Sequence, residues 1–241
     1  MKGWKASGAL SAITSISADG DILFTRGYFL GCVGDITTSF YVPKTIRNSD
    51  EGIQRSKSLL RKCLDYFVQV TGGASSDTSQ LPAEPTLEAF YTTIISTTYR
   101  RKTCESLWTL EKFLILCKSL YVEHTDVTKA DAAWVISNLP DLIKRFAYKG
   151  LCTVTLQKDQ SVEALDHDVS EASLSALQST PALCAASSKL NDNVVVVRGC
   201  PHPLVLRRVG EQYELIDEIY VHGYMNGEGI EKCPELDIQL I

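Results

Sequence analysis

The side chains able to do covalent or acid–base chemistry are few and widely spaced. One histidine lies in Tyr220-Val221-His222-Gly223, with Glu228 six residues on. As a general base or metal ligand it would need a second ligand or an orienting carboxylate, and this spacing promises neither. A turn-capping hydrogen bond to a backbone group is the expected role of the ring. Cys200 and His202 stand together in Gly199-Cys200-Pro201-His202-Pro203, where a thiol–imidazole pair would serve nucleophilic hydrolysis. The two prolines define a turn more simply. In extended chain, sequence proximity gives no assurance that the two side chains meet.

Two glycine-bearing stretches, Gly72-Gly73 and Gly223-Tyr224-Met225-Asn226-Gly227, lack the lysine and the strand-to-helix context of a phosphate loop. Arg207-Arg208 could grip an anion, but adjacent strand residues point to opposite faces, which splits the pair. One of the two is expected to lie over a barrel rim along its aliphatic stem. No catalytic residue, cofactor or metal is therefore assigned, and the chain is read as a non-enzyme. The alternative is a small Cys/His-dependent hydrolase using Cys200 or Cys32 with His222.

Elements must position whatever these residues do. A chain of 241 residues with 44% hydrophobic content has enough apolar side chains for a real core without disulfide or metal staples. The net charge of −5 disfavours attraction to phosphate backbones. The longest basic run is Arg100-Arg101-Lys102, so no nucleic-acid partner is expected. Eight cysteines are scattered with no C-x-x-C pair, which excludes a zinc ribbon and points to a reducing compartment. Cys104, Cys117 and Cys152 fall on apolar faces, where reduced thiols act as small hydrophobes. The opening Met1 to Gly8 does not resemble a signal peptide. No apolar stretch approaches the roughly 20 residues that span a bilayer. A cytoplasmic protein with no membrane partner is the expectation.

The predicted fold class is α+β: N- and C-terminal strands forming a small antiparallel sheet or β-barrel, with about four helices inserted. The expected layout is a single domain. Residues 1–42 are N-terminal strands, 43–150 the helical insertion, 151–192 a strand and mobile linker, and 193–241 a C-terminal meander and tail. Ser17-Ala18-Asp19-Gly20 between Ile13, Ile16 and Ile22-Leu23-Phe24 reads as a hairpin. Gly27, Gly31 and Gly34 within a strand predict bulges or close backbone approach. Helical periodicity runs from Glu51 to Val70, Thr86 to Thr97, Cys104 to Tyr121 and about Asp126 to Tyr148, the last kinked or interrupted by Pro140. Leu151 to Leu156 reads as a strand, and 158–191 as linker with at most a short helix. Val194 to Val197 predicts a strand buried on both faces. Leu204 to Arg208 follows, and a third strand should turn Tyr213, Leu215, Ile219 and Val221 to one side.

The stretch Val194-Val195-Val196-Val197-Arg198-Gly199-Cys200-Pro201-His202-Pro203-Leu204-Val205-Leu206-Arg207-Arg208, with Tyr213-Glu214-Leu215 and then Tyr220-Val221-His222-Gly223-Tyr224-Met225-Asn226-Gly227-Glu228, resembles a family ending. It is similar to the C-terminal region of fungal heterokaryon-incompatibility (HET) proteins. These commonly close with a valine strand, a Gly-x-x-x-Pro turn, a Leu-Arg strand, a Tyr-x-Leu strand and Tyr-Val-His-Gly-x-Met-Asp-Gly-Glu. Ala6-Ser7-Gly8 and Leu23-Phe24-Thr25-Arg26-Gly27-Tyr28 are similar to strands preceding the helical part of that family. The effector signature Tyr-x-Ala-Leu-Ser-Tyr-x-Trp-Gly is absent from this sequence, and Asn226 replaces the usual Asp. The resemblance implies a companion region in allorecognition and programmed cell death, acting by protein–protein interaction with another protein or an effector domain in trans. Its candidate interaction residues are Arg207, Tyr213, Tyr220, His222, Gly223, Met225, Gly227 and Glu228. The oligomeric state is left open.

Overall fold

The computed structural model describes residues 5–36, 50–71, 82–96, 108–121, 129–144, 149–156 and 178–241. The readings made at Gly72-Gly73, Arg100-Arg101-Lys102, Cys104, Leu107, Phe146, Tyr148 and residues 158–177 lie outside these. The chain divides into two compact units, one of residues 1–36 with 152–241 and one of residues 37–151. Each is described by itself.

In the second unit, four helices occur among the described residues: α1 (Asp50–Val70), α2 (Glu84–Ser96), α3 (Leu110–Tyr121) and α4 (Lys129–Lys144). Their apolar positions recur every three or four residues, so each buries one stripe. Leu60, Leu64 and Phe67 of α1, Phe90 of α2, Phe113 and Leu116 of α3, and Leu139 and Leu142 of α4 are inaccessible to solvent. Phe67, Phe90 and Phe113 form a chain of tilted rings, with centroids 5.2 and 5.8 Å apart. Pro85 sits in the first turn of α2, where a missing N–H costs nothing. Pro140 does not end α4, which runs on to Lys144.

The first unit is a nine-stranded mixed sheet: β1 (Thr14–Ile16), β2 (Leu23–Ile36), β3 (Lys149–Leu156, whose first three residues fall in the second unit), β4 (Gln178–Ala185), β5 (Asn193–Val197), β6 (Leu204–Val209), β7 (Gln212–Glu218), β8 (Tyr220–Val221) and β9 (Glu235–Leu240). The α+β class is thus correct. The Asp-Gly hairpin forms as read, with Ile16 opposite Leu23 and the Ser17 N–H donating to the Ile22 carbonyl at 2.9 Å. Residues 178–185, read as the end of a linker, are instead strand β4. Their signal was weak because Ser179, Thr180 and Pro181 open the strand and Pro181 reads as a breaker.

The long strand β2 is the axis of the unit. Its first half pairs with β9, its second half with β3, and its other edge with β1 and then β5. Because β5, β6, β7 and β9 are joined in that order, β2 closes them into a ring of five strands. The ring is antiparallel except where β7 meets β9 in parallel, Tyr213 opposite Leu240. The N- and C-terminal strands therefore do pair in one sheet, Gly27 to Cys32 against Val197 to Asn193.

The valine run shows why. Val195 and Val197 point into the ring with Phe29, Leu206 and Ile238. Val194 and Val196 point the other way, into a cluster with Leu30, Val33, Cys152, Val154, Cys184 and Val221. All four valines are at most 5% exposed, and such burial is worth about 6 kcal/mol before conformational entropy is counted.

Register shifts occur at three places in the described ladders, one of them between Val33 and Ile36 of β2; the other two set which side chains face in. In β2, Phe29 faces Val195 while Gly31 faces Val194, so Leu30 is the extra residue. In β7, Val205 faces Asp217 while Leu206 faces Leu215, which leaves Ile216 extra. The second bulge overturns the simple alternation expected for this strand. Ile216 packs on the outer cluster with Ile219 and Val221, while Leu215 is left 50% exposed. An inserted residue restarts the period of two, and periodicity alone carries no warning of it.

Candidate functional site

Part of the family-like segment, Cys200-Pro201 and Met225, meets the N-terminal segment where it crosses two glycine turns. Lys5 donates its N–H to the Met225 carbonyl at 3.0 Å, and Ala6 donates to the Pro201 carbonyl at 3.1 Å. Ser7 donates to the Cys200 carbonyl at 3.4 Å. The Gly-Cys-Pro-His-Pro segment is thus a turn, as read, and its carbonyls hold the first described residues. Gly227 has a φ of +86°, and a Cβ there would lie 3.1 Å from the Gly8 Cα, so backbone presses on backbone.

Within the turn after β8, Met225 is buried and its sulfur accepts the Val221 N–H at 3.5 Å. Glu228 is exposed and accepts from the Asn226 side-chain amide at 2.9 Å and from the Asn226 backbone N–H at 2.7 Å. Burial alone would push its carboxyl up, but these bonds outweigh it and hold Glu228 below its ordinary range. An aspartate at position 226 has no amide to donate, so asparagine suits this geometry.

His222 is half-buried. Its backbone rather than its ring does the tying: its N–H donates to the Pro181 carbonyl at 3.0 Å, and its carbonyl accepts from Thr180 Oγ1 at 3.0 Å. The ring's Nδ1 lies 3.4 Å from the hydroxyl of buried Tyr220. Burial lowers the His222 pKa, opposed by the charge of Glu228, so the neutral ring is favoured at pH 7. Gly223 is exposed in the following turn, and Tyr213 packs against the ring interior.

Arg207 is held by its guanidinium group. Its Nε and Nη2 grip the two carboxylate oxygens of Asp192 at 3.0 and 2.7 Å, and Nη2 also reaches the Ser187 carbonyl at 3.0 Å. Asp192 is 5% exposed and receives the Lys189 N–H at 2.7 Å. The pair binds the turn before β5 to β6 by a two-pronged, charge-assisted contact. Arg208 turns away to the Gly210 carbonyl, so the adjacent arginines are split as anticipated. Asp192 is the residue the sequence reading missed. Nothing in local periodicity marks a partner fifteen positions away.

Burial pushes the Cys32 thiol up to about 11, helped by the charge of Asp192. Burial, with Glu218 adding to it, likewise raises Cys200. Both thiols are therefore poor nucleophiles at neutral pH. Among the described residues, no three His, Cys, Asp or Glu side chains converge to hold a metal ion. A hollow of about 370 Å³ lies beside β1, lined by Ile13, Phe24 and Ile238 with Arg26 and Asp237. Arg26 and Asp237 are already paired to each other across it at 2.9 Å. No described helix is long and apolar enough to cross a membrane.

Comparison with family models, with curated proteins and with solved structures returns no match to this chain.

Proposed function

We propose that this chain is a non-enzymatic interaction or regulatory module, akin to the C-terminal part of a fungal heterokaryon-incompatibility protein. Its partner is another protein or an effector domain in trans, its setting is cytoplasmic, and its process is allorecognition leading to programmed cell death. The observation that carries the reading is the β6–β7 hairpin. Its buried side is fixed by the Arg207–Asp192 pair, while Val209 and Leu215 remain 48% and 50% exposed among the charged Arg208, Glu211 and Glu214. Val209 pairs with Gln212 and Leu215 with Leu206, so the hairpin presents one exposed apolar side chain on each of its two faces, set among charged residues, which suits a partner that wraps the hairpin tip. The side chains most suggestive of chemistry are engaged elsewhere: Met225 in the core, Glu228 with Asn226, and His222 beside Tyr220.

The test uses the purified chain and an effector domain carrying the Tyr-x-Ala-Leu-Ser-Tyr-x-Trp-Gly signature. Binding is measured by calorimetry for the wild type and for the Val209→Asp/Leu215→Asp variant, with circular dichroism checking the fold. Binding lost at least tenfold in a folded variant supports the module. No binding by the wild type, or a cysteine alkylating rapidly well below pH 8, sinks it, the latter in favour of the Cys/His hydrolase.

A further inference from the structure

Cys152 and Cys184 lie on neighbouring strands, β3 and β4. Both are completely buried, in the same apolar cluster as Val154, Ala182 and Val194. Their side chains are within hydrogen-bonding contact of each other. Other thiols of this unit bond oxygen instead: Cys32 donates to the Asn193 side-chain oxygen at 3.6 Å and Cys233 to the Gly229 carbonyl at 3.5 Å. Two cysteines on neighbouring strands, buried in one apolar cluster with their side chains in contact, are placed where a modest adjustment satisfies disulfide geometry.

We propose that Cys152 and Cys184 form a redox latch, an intramolecular disulfide that locks β4 to β3 when the chain meets an oxidised low-molecular-weight disulfide. One cysteine thiolate attacks the small disulfide and releases one small thiol. The thiolate of the other cysteine then displaces the second. One S–S bond breaks and one forms. Two protons and two electrons leave the cysteine S–H bonds and end on the two small thiols.

Both cysteines are shielded while the sheet is closed. Contact with Cys184 and then burial push the Cys152 thiol well above its ordinary value, so the thiolate is scarce. Reaction therefore requires β4 to open. The far side of β4 is held by a short ladder. Its partner there, β8, is two residues long, with Ala182 opposite Val221 and Leu183 opposite Tyr220, supplemented by the two backbone links to His222. Local opening of such a strand is far less costly than unfolding the ring. Once formed, the bond joins positions 32 apart (184 − 152), and cross-linking so long a loop removes unfolded-state entropy. The latch would thus convert an oxidising episode into a sheet that opens less.

The experiment incubates the whole reduced chain with excess oxidised glutathione under native conditions for several hours. Expected are a fall in titratable thiols from eight to six, read after denaturation, a Cys152–Cys184 cross-linked peptide by mass spectrometry, and hydrogen exchange of the β4 peptide slowed on the order of tenfold or more. Dithiothreitol should reverse all three. The Cys184→Ser variant should form no such link and show no slowing of exchange. If that variant does not fold, the peptide map of the wild type still decides. Glutathione adducts on Cys32 or Cys200 with Cys152 and Cys184 left reduced, or no loss of thiols at all, would overturn the proposal.

Discussion

Replacing Gly31 by alanine tests how tightly β2 is held between β3 and β5. A Cβ at this position would lie 2.0 Å from the Thr155 carbonyl oxygen and 2.8 Å from its carbon, both backbone atoms of β3. Neither can rotate aside, so β2 and β3 must separate by about 1 Å before ordinary contact is restored. That movement breaks the ladder where Gly31 faces Leu156 and strains the opposite edge, where Gly31 faces Val194. The φ of +156° adds a conformational penalty for any side chain. Overpacking of about 2 kcal/mol, one or two weakened ladder bonds at about 1 kcal/mol each, and backbone strain of about 1 kcal/mol sum to roughly 4 kcal/mol.

The comparison is Gly210→Ala. Gly210 also has a positive φ, +64°, but no atom lies within 4 Å of its Cβ position. Only the left-handed backbone is then penalised, at about 1 kcal/mol. Because the chain has two compact units, one melting curve need not report on either of them alone. Hydrogen exchange of the Val194–Val197 peptide is the better readout. Gly31→Ala should accelerate exchange there on the order of 10³-fold, and Gly210→Ala about fivefold. Equal effects of the two variants would refute the idea that β2 is wedged between β3 and β5.

The bulge in β7 makes a second prediction. Leu215→Ser should change stability by no more than about 0.5 kcal/mol, whereas Ile216→Ser should cost about 1–2 kcal/mol; urea midpoints with the reverse ranking would restore the simple alternation. His222 sets a pH dependence. Its pKa is lowered in the folded state, so on acidification the unfolded chain takes up this proton first, and stability falls as pH drops from about 6.5 toward the folded value. His222→Gln should flatten the stability–pH curve in that window, and an unchanged slope would show that the ring is not desolvated.

Much of the fold could be read from the sequence because its signals are local. Four contiguous valines admit few other placements than a strand covered on both sides, and Asp19-Gly20 between apolar runs closes the hairpin at Gly20, with a φ of +86°. What escaped reading depends on distant partners. Strand β4 begins Gln-Ser-Thr-Pro and acquires its identity only by lying between β3 and β8. The burial of Asp192 depends on an arginine that enters from another strand. Leu215 looks like a core residue until one extra position in the strand is counted against Val205 and Leu206. In each case the deciding contact is long-range, and single-strand periodicity cannot encode it.

The same distinction separates motif from site. Tyr220-Val221-His222-Gly223-Tyr224-Met225-Asn226-Gly227-Glu228 has the density of polar and aromatic groups that invites a chemical reading. In space, each of its prominent members answers to a neighbour in the fold. Gly227 admits the backbone of Gly8, the Met225 carbonyl receives Lys5, Asn226 clasps Glu228, and the backbone of His222 pins β4. A motif whose parts all serve closure will be retained wherever the closure is needed, whatever the protein does. Closure leaves outside a different set of side chains, among them Val209 and Leu215 of the β6–β7 hairpin, Ile16 at the end of β1 and Leu190 before β5. Substitutions at Gly227, Met225 and Asn226 should therefore lower stability, whereas substitutions at exposed Val209 or Leu215 should leave the fold intact, a difference that urea midpoints will register.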